Sequence, residues 1–211
     1  MKIKKFGHSC LLVEENNVRI LLDPGSYSTL QNDVKDVDII LITHGHSDHC
    51  DLNSLKEILS NNPNAKIYTN KEVGKKLSEN SIKFELLENG QATNFRDVTI
   101  EGIGEKHALI YTGVPVIQNV GYLIAGRLFC PGDAVTIPDK PVEILALIVN
   151  APWLSTAQAI DYAKQIKPKA CFPVHDGQLK IKKSYHKLPE DCLTPAGIKW
   201  VVIEESITVE F

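Results

Sequence analysis

Apolar residues in this chain come in short runs with two periods, and the order of those periods predicts the elements. IKKF (3–6), CLLVEE (10–15) and VRILLD (18–23) are β-rich runs, and Glu15-Asn16-Asn17 between the last two reads as a hairpin turn, so the chain opens antiparallel. DVDIILIT (36–43) is almost continuously apolar, the pattern of a strand buried on both faces. From Asp51 to Ser60 the period changes, with Leu52, Leu55, Ile58 and Leu59 at helical spacing. KIYT (66–69) then reads as a strand and 71–80 as a polar helix. DVTIEGIG (97–104), VIQNVGYLIA (116–125) and RLFC (127–130) continue as strands, with a tight turn at Gly126-Arg127. EILALIV (143–149) is another buried strand. Ser155 begins a helix through about Ile166, with Gln158 three residues on completing a capping-box pattern. KACFPV (169–174), KWVVIEE (199–205) and SITVEF (206–211) close the chain as strands. LKIKKSYHK (179–187) reads as a basic, solvated loop with His186 on the surface.

Strands mixed with intervening helices, and no low-complexity linker, predict one α+β domain over residues 1–211, with sheets covered by helices. At 211 residues and 43% hydrophobic content, the chain suits one sizeable core. Twenty-three Lys and Arg against 26 Asp and Glu leave a formal charge of -3, which points away from nucleic acid and towards a small-molecule substrate. No apolar stretch follows the basic start, and none approaches the ~18 residues of a membrane span, so no membrane partner is expected. The five cysteines (10, 50, 130, 171 and 192) are scattered and never paired as C-x-x-C, which fits a reducing cytoplasm. Assembly into a homo-oligomer is left open.

The chemistry is concentrated in LITHGHSDHC (41–50), where His44, His46, Asp48 and His49 crowd a loop between a buried strand and a helix. Imidazoles beside a carboxylate suit a divalent ion such as zinc, with manganese or iron as alternatives. On a regular strand alternate residues face opposite sides, whereas a loop lets these side chains converge. His44 and His46 pointing one way and Asp48 and His49 another would serve two adjacent ions, each still short of ligands. Further along, His107 follows DVTIEGI, Asp133 follows RLFC and His175 follows KACFPV. Each stands just past a strand, where loops gather on one rim of a scaffold. Any one of them alone would read as a turn residue; the repetition shifts the reading towards a shared site.

This ordered set, His44-Gly45-His46-Ser47-Asp48-His49 followed by His107, Asp133 and His175, resembles the signature of the metallo-β-lactamase fold superfamily of metal-dependent hydrolases. FGHSCLLVEENNVRILLDP and STAQAIDYAKQIKPKACFPVHDG look like its small branch that includes ascorbate 6-phosphate lactonase-like proteins. The resemblance implies a four-layer αββα sandwich of two mixed sheets with helices outside and the metal site on one edge. It also implies His44, His46 and His107 on one ion, Asp48, His49 and His175 on the other, and Asp133 bridging. Asp23 in LLDP would brace the metal loop without binding metal. The chain is too short for the nucleic-acid insert of the nuclease branches. An aspartate rather than a cysteine at 133 argues against antibiotic hydrolysis.

A hydroxide shared by two ions would attack a small ester, lactone, thioester or phosphodiester, with Asp48 as ligand and general base. An iron-dependent oxidoreductase of the same superfamily and a non-catalytic metal-binding module are the alternatives. Three residues are left between two roles or given a bland one. His8 in GHSC is either a rim residue or a structural one, Trp153 is either a pocket wall or core, and Cys50 reads as a buried thiol rather than a ligand.

Overall fold

The computed structural model describes residues 1–211. Two seven-stranded sheets face each other. The first is built from β1 (Lys2–Gly7), β2 (Cys10–Glu15), β3 (Val18–Leu22), β4 (Ile39–Leu41), β5 (Lys66–Thr69) and β6 (Glu85–Leu86). The second holds β7 (Ala92–Phe95), β8 (Val98–Ile103), β9 (Gly121–Ile124), β10 (Leu128–Cys130), β11 (Ile144–Ile148), β12 (Ala170–Val174) and β13 (Lys199–Trp200). The last strand, β14 (Thr208–Glu210), returns to the first sheet beside β1, giving the order β14-β1-β2-β3-β4-β5-β6 against β13-β12-β11-β10-β9-β8-β7. Four helices, α1 (Leu52–Asn61), α2 (Lys71–Glu79), α3 (Thr156–Ile166) and α4 (Lys182–Leu193), complete the chain.

The period-2 alternation of the strands decides the layering. Ile20, Leu22, Ile39 and Leu41 point inward and meet Ile100, Tyr122, Ile144, Ala146 and Phe172 of the facing sheet in one buried cluster. The intervening Leu21 and Ile40 point outward, under Leu55 and Ile58 of α1 and Val73 and Leu77 of α2. Likewise Leu145 and Leu147 turn outward, under Ala159, Ile160 and Ala163 of α3 and Leu193 of α4. Strands covered on both faces explain the continuous apolar runs, and the result is the expected αββα sandwich. No helix is long and apolar enough to cross a membrane.

Helix starts follow the local chemistry. Asp51 and Asn70 accept from Ser54 N–H and Val73 N–H, and Ser155 and Gln158 form the reciprocal capping box. α4 corrects the reading of 179–187 as a loop: the basic stretch turns helical at Lys182, and His186 Nε2–H donates to the buried Asp176 carboxylate at 2.9 Å. The closing pair is also corrected. Only 199–200 of KWVVIEE and 208–210 of SITVEF pair as strands, and they belong to different sheets, so 201–207 crosses from one layer to the other.

In the first sheet β1, β3 and β4 run parallel, and in the second β8, β10, β11 and β12 do. Their C-terminal ends open on one rim of the sandwich, and every predicted site residue lies on the loops leaving them. At this rim the layers are tied together, Val120 N–H donating to Thr43 C=O at 3.0 Å and Tyr122 Oη–H to Ile42 C=O at 3.1 Å.

Candidate metal centre

The loop 44–50 is held from several sides before any side chain reaches the centre. Ser26 N–H donates to Ser47 C=O, and Lys76 on α2 donates to the carbonyls of Gly45 and Cys50. Gly25 presses so closely that a Cβ there would lie 1.8 Å from the Asp48 carbonyl oxygen. Gly25→Ala is therefore expected to push 48–49 outward, costing about 1–3 kcal/mol in denaturant unfolding and weakening metal uptake. An alanine variant with wild-type stability and metal affinity would show that the loop yields freely. The Cys50 thiol packs into the apolar layer under α1, and burial pushes its pKa up to about 11, so it stays a thiol.

All seven predicted ligands converge. The ligating atoms of His44, His46 and His107 lie within 4.8 Å of one another, as do those of His44, His49 and Asp133, and those of Asp48, His49 and His175 together with His8. Asp133 touches members of both predicted groups: Oδ1 is 3.2 Å from His49 Nε2, while Oδ2 is 3.4 Å from His107 Nε2 and 3.2 Å from His175 Nε2. Asp48 Oδ2 lies 3.4 Å from His175 Nε2. Around a tetrahedral ion with bonds of about 2.0–2.1 Å, neighbouring ligands stand about 3.3 Å apart, so these spacings suit coordination.

The hydrogen bonds sort the imidazole nitrogens in the same sense. Nδ1–H of His107 donates to Ala108 C=O at 2.6 Å, and that of His175 to Asn150 C=O at 2.5 Å. Asp23, buried with φ +44°, receives three donors: Thr43 N–H, Thr43 Oγ1–H and His49 Nδ1–H, each at 2.8 Å. Because Thr43 Oγ1 gives its proton to Asp23, it accepts from His44 Nδ1–H at 3.0 Å, so one carboxylate fixes both rings. The Nε2 atoms of His44, His49, His107 and His175 are left buried with no hydrogen-bond partner. A buried orphan nitrogen is costly, and four that converge have the donor set and outer support of a metal site.

Asn119 was not visible as a site residue in the sequence. Its Nδ2–H donates to Pro131 C=O and its Oδ1 accepts Asp133 N–H at 2.9 Å. Gly132, at φ +63°, makes this turn; a Cβ there would lie 2.3 Å from Asn119 Oδ1. An asparagine between two apolar runs carries no local signal of that role. Trp153 stands edge-on to His107 with ring centroids 5.9 Å apart, half-buried at the wall of the centre. His8 is drawn in as well, its Nε2 3.0 Å from Asp48 Oδ2.

Charge within the cluster is coupled. Burial alone would lower His175, but its contacts with Asp133 and Asp48 outweigh it and push the pKa up to about 9. Burial likewise lowers His49, but the Asp133 and Asp23 carboxylates outweigh it and push the pKa up. His44, with burial and the neighbouring imidazoles acting together, goes down. The ion-free chain therefore favours a protonated His175 ring, and a metal must displace that proton. A raised histidine stabilises the ion-free fold fully below its unfolded value of 6.5 and loses that contribution as pH rises through about 9. The expected result is a metal-induced rise in Tm that grows between pH 6.5 and 9, with proton release seen by calorimetry in buffers of different ionisation enthalpy. A metal-induced rise independent of pH would contradict it.

A family model described as a beta-lactamase superfamily domain matches residues 2–175. The chain is 35% identical over 180 residues to the Mycobacterium tuberculosis protein Rv0786c, covering 83% of this chain and 84% of that one. It is 32% identical over 193 residues to a UPF0173 protein of Pyrococcus abyssi, covering 84% of each. Among solved structures, a Parabacteroides distasonis protein named as a metal-dependent hydrolase superposes with a TM-score of 0.77 at 28% identity, over 96% of this chain and 92% of that one. Matched along most of its length in sequence and nearly all of it in fold, the chain belongs to the beta-lactamase superfamily, as a hydrolase of the metallo-β-lactamase fold.

Proposed function

We propose that this hydrolase is dinuclear and acts on a small ester, lactone, thioester or phosphodiester. His44, His46 and His107 would hold one divalent ion, Asp48, His49 and His175 a second, and Asp133 would lie between them. Zinc suits this donor set best, and manganese or iron also fit. The observation that carries the reading is the set of four buried, unpartnered Nε2 atoms ranged around one carboxylate. Divalent ions there would supply a water activated for attack at neutral pH and would polarise the oxygen of the scissile group.

The chain's own residues then do the rest. Asp48 and His46 are the half-buried members of a set that is otherwise buried, so substrate approaches from their side. Asp48 stays ionised: burial opposes this, but contacts with His175 and His8 hold its carboxyl well below the usual range. A carboxylate in that position can orient the attacking water and accept its proton. Trp153 limits the space beside His107 and gives an apolar wall to the leaving or acyl portion.

The test joins metal analysis to a hydrolase panel on the same re-metallated sample. Two ions per chain are expected, with turnover of at least one substrate class that chelation abolishes and re-metallation restores. Asp48→Ala is expected to lower kcat by about 10²–10⁴-fold, the usual weight of a positioned proton acceptor. A folded, fully metallated chain inactive across ester, lactone, thioester and phosphodiester panels would overturn the reading.

A further inference from the structure

The turn between β1 and β2 brings His8 against the centre with its ring reversed relative to its neighbours. Its backbone is in the left-handed region at φ +51°, uncommon for a residue with a side chain and usual where the surroundings enforce it. The enforcement comes from the loop that carries His175. His175 N–H donates to His8 C=O at 3.1 Å, and Gly177 N–H donates to His8 Nδ1 at 3.1 Å. A Cβ on Gly177 would lie 2.9 Å from His8 Cβ, so the close approach needs glycine there. The His8 and His175 rings stand 4.0 Å apart, and the Tyr27 ring covers His8 from another side at 4.9 Å.

These contacts fix the tautomer. Gly177 can only donate, so His8 Nδ1 carries a lone pair and the ring proton sits on Nε2. His44, His49, His107 and His175 each donate from Nδ1–H to an outer acceptor and turn inward an Nε2 that has no hydrogen-bond partner. His8 therefore has no lone pair to offer an ion at Nε2, although that atom lies among the ligating atoms of Asp48, His49 and His175. What it offers is an N–H, aimed at Asp48 Oδ2 at 3.0 Å. The other groups near Asp48 Oδ2 are the Nε2 atoms of His175 at 3.4 Å and His49 at 3.9 Å, members of the proposed ligand set, so His8 is the donor that orients it from outside that set.

We infer that His8 is a positioning residue for the second ion: its Nε2–H holds the Asp48 carboxylate where Asp48, His49 and His175 bind as a set. The inference rests on the two-ion reading. It separates His8, a donor in the outer layer of the centre, from the ligands around it. A donor to a metal-binding carboxylate is worth about 10–100-fold in affinity, and here the loss falls on one ion alone.

The experiment is a stepwise zinc titration of the metal-free chain against a chelator, for the wild type, His8→Leu and His8→Gln, with melting of each metal-free protein as control. Expected is an unchanged first binding step in His8→Leu with the second weakened about 10–100-fold, and substantial recovery in His8→Gln, whose amide N–H can reach Asp48. A second step as tight in His8→Leu as in the wild type, or equally weak in both variants, overturns the role of His8 while leaving the two-ion reading in place. A wild type that binds one ion overturns both. Ring nitrogen NMR of the zinc-loaded wild type decides the matter even where a variant fails to fold. A protonated Nε2 and bare Nδ1 at His8, opposite to His44 and His49, support the inference; the Nδ1–H tautomer at His8 overturns it.

Discussion

Replacing Asp133 with alanine is expected to yield a folded chain that retains neither ion tightly and hydrolyses substrate at least about 10³-fold more slowly. This carboxylate alone contacts histidines of both proposed groups, with Oδ1 on His49 and Oδ2 on His107 and His175. It is buried, and its ionisation, opposed by burial, is held by His49 and the other imidazoles. Its removal strips the centre of the charge that balances two cations, and no neighbouring carboxylate is placed to replace it. The fold tolerates the change because Asp133 is anchored through its backbone N–H to Asn119, which alanine preserves. Metal content by mass spectrometry, beside kcat on the best panel substrate, checks the expectation. An alanine variant that keeps two ions, or loses less than about tenfold in rate, would move the bridge elsewhere.

Asp23→Asn is the second large effect, and it acts without touching any ligating atom. The aspartate only accepts, taking protons from Thr43 N–H, Thr43 Oγ1–H and His49 Nδ1–H. An asparagine whose oxygen stays on Thr43 N–H must point its NH₂ at Thr43 Oγ1 and His49 Nδ1, donor against donor. His49 escapes by moving its proton from Nδ1 to Nε2, the atom needed for metal, and His44 loses its relay through Thr43. Metal affinity is expected to fall about 10–100-fold, and activity by up to about 10⁴-fold, as other enzymes lose when a carboxylate-to-amide change leaves a histidine in the wrong tautomer. Circular dichroism should show a native fold. Wild-type metal affinity in Asp23→Asn would show that the rings are oriented by packing alone.

The parts of this architecture that were legible in the sequence are those written locally. The histidine cluster, the capping box at Ser155 and Gln158, and the strand-end positions of His107, Asp133 and His175 all depend on residues within one element of one another. What escaped depends on distant packing. α4 has Ile181 at its N-cap with no side-chain cap and carries Pro189 inside, so it has the local signature of a loop; it is helical because Leu193 is buried against the second sheet. His186 looked superficial for the same reason, since its partner Asp176 sits in another segment and is itself neutralised by the buried Lys5 ammonium at 2.6 Å. Nothing near residue 8 announces the two N–H groups, from His175 and Gly177, that decide which way its ring faces. Asn119 is silent in the same way. The division of the last two strands between sheets follows from spatial neighbours, β1 for one and β12 for the other, which no alternation encodes.

Neither sheet holds a complete ligand set. His44 and His46 follow β4 of the first layer while His107 follows β8 of the second; Asp48 and His49 leave the first layer while His175 leaves β12 of the second. Each proposed ion would thus be a clasp between halves of the chain that meet only when the sandwich closes. A growing polypeptide would expose the cluster at 44–49 long before its partners at 107, 133 and 175 exist, so high-affinity capture comes after closure and not during synthesis. For such a chain, the metal it acquires is set by which ions surround the finished fold.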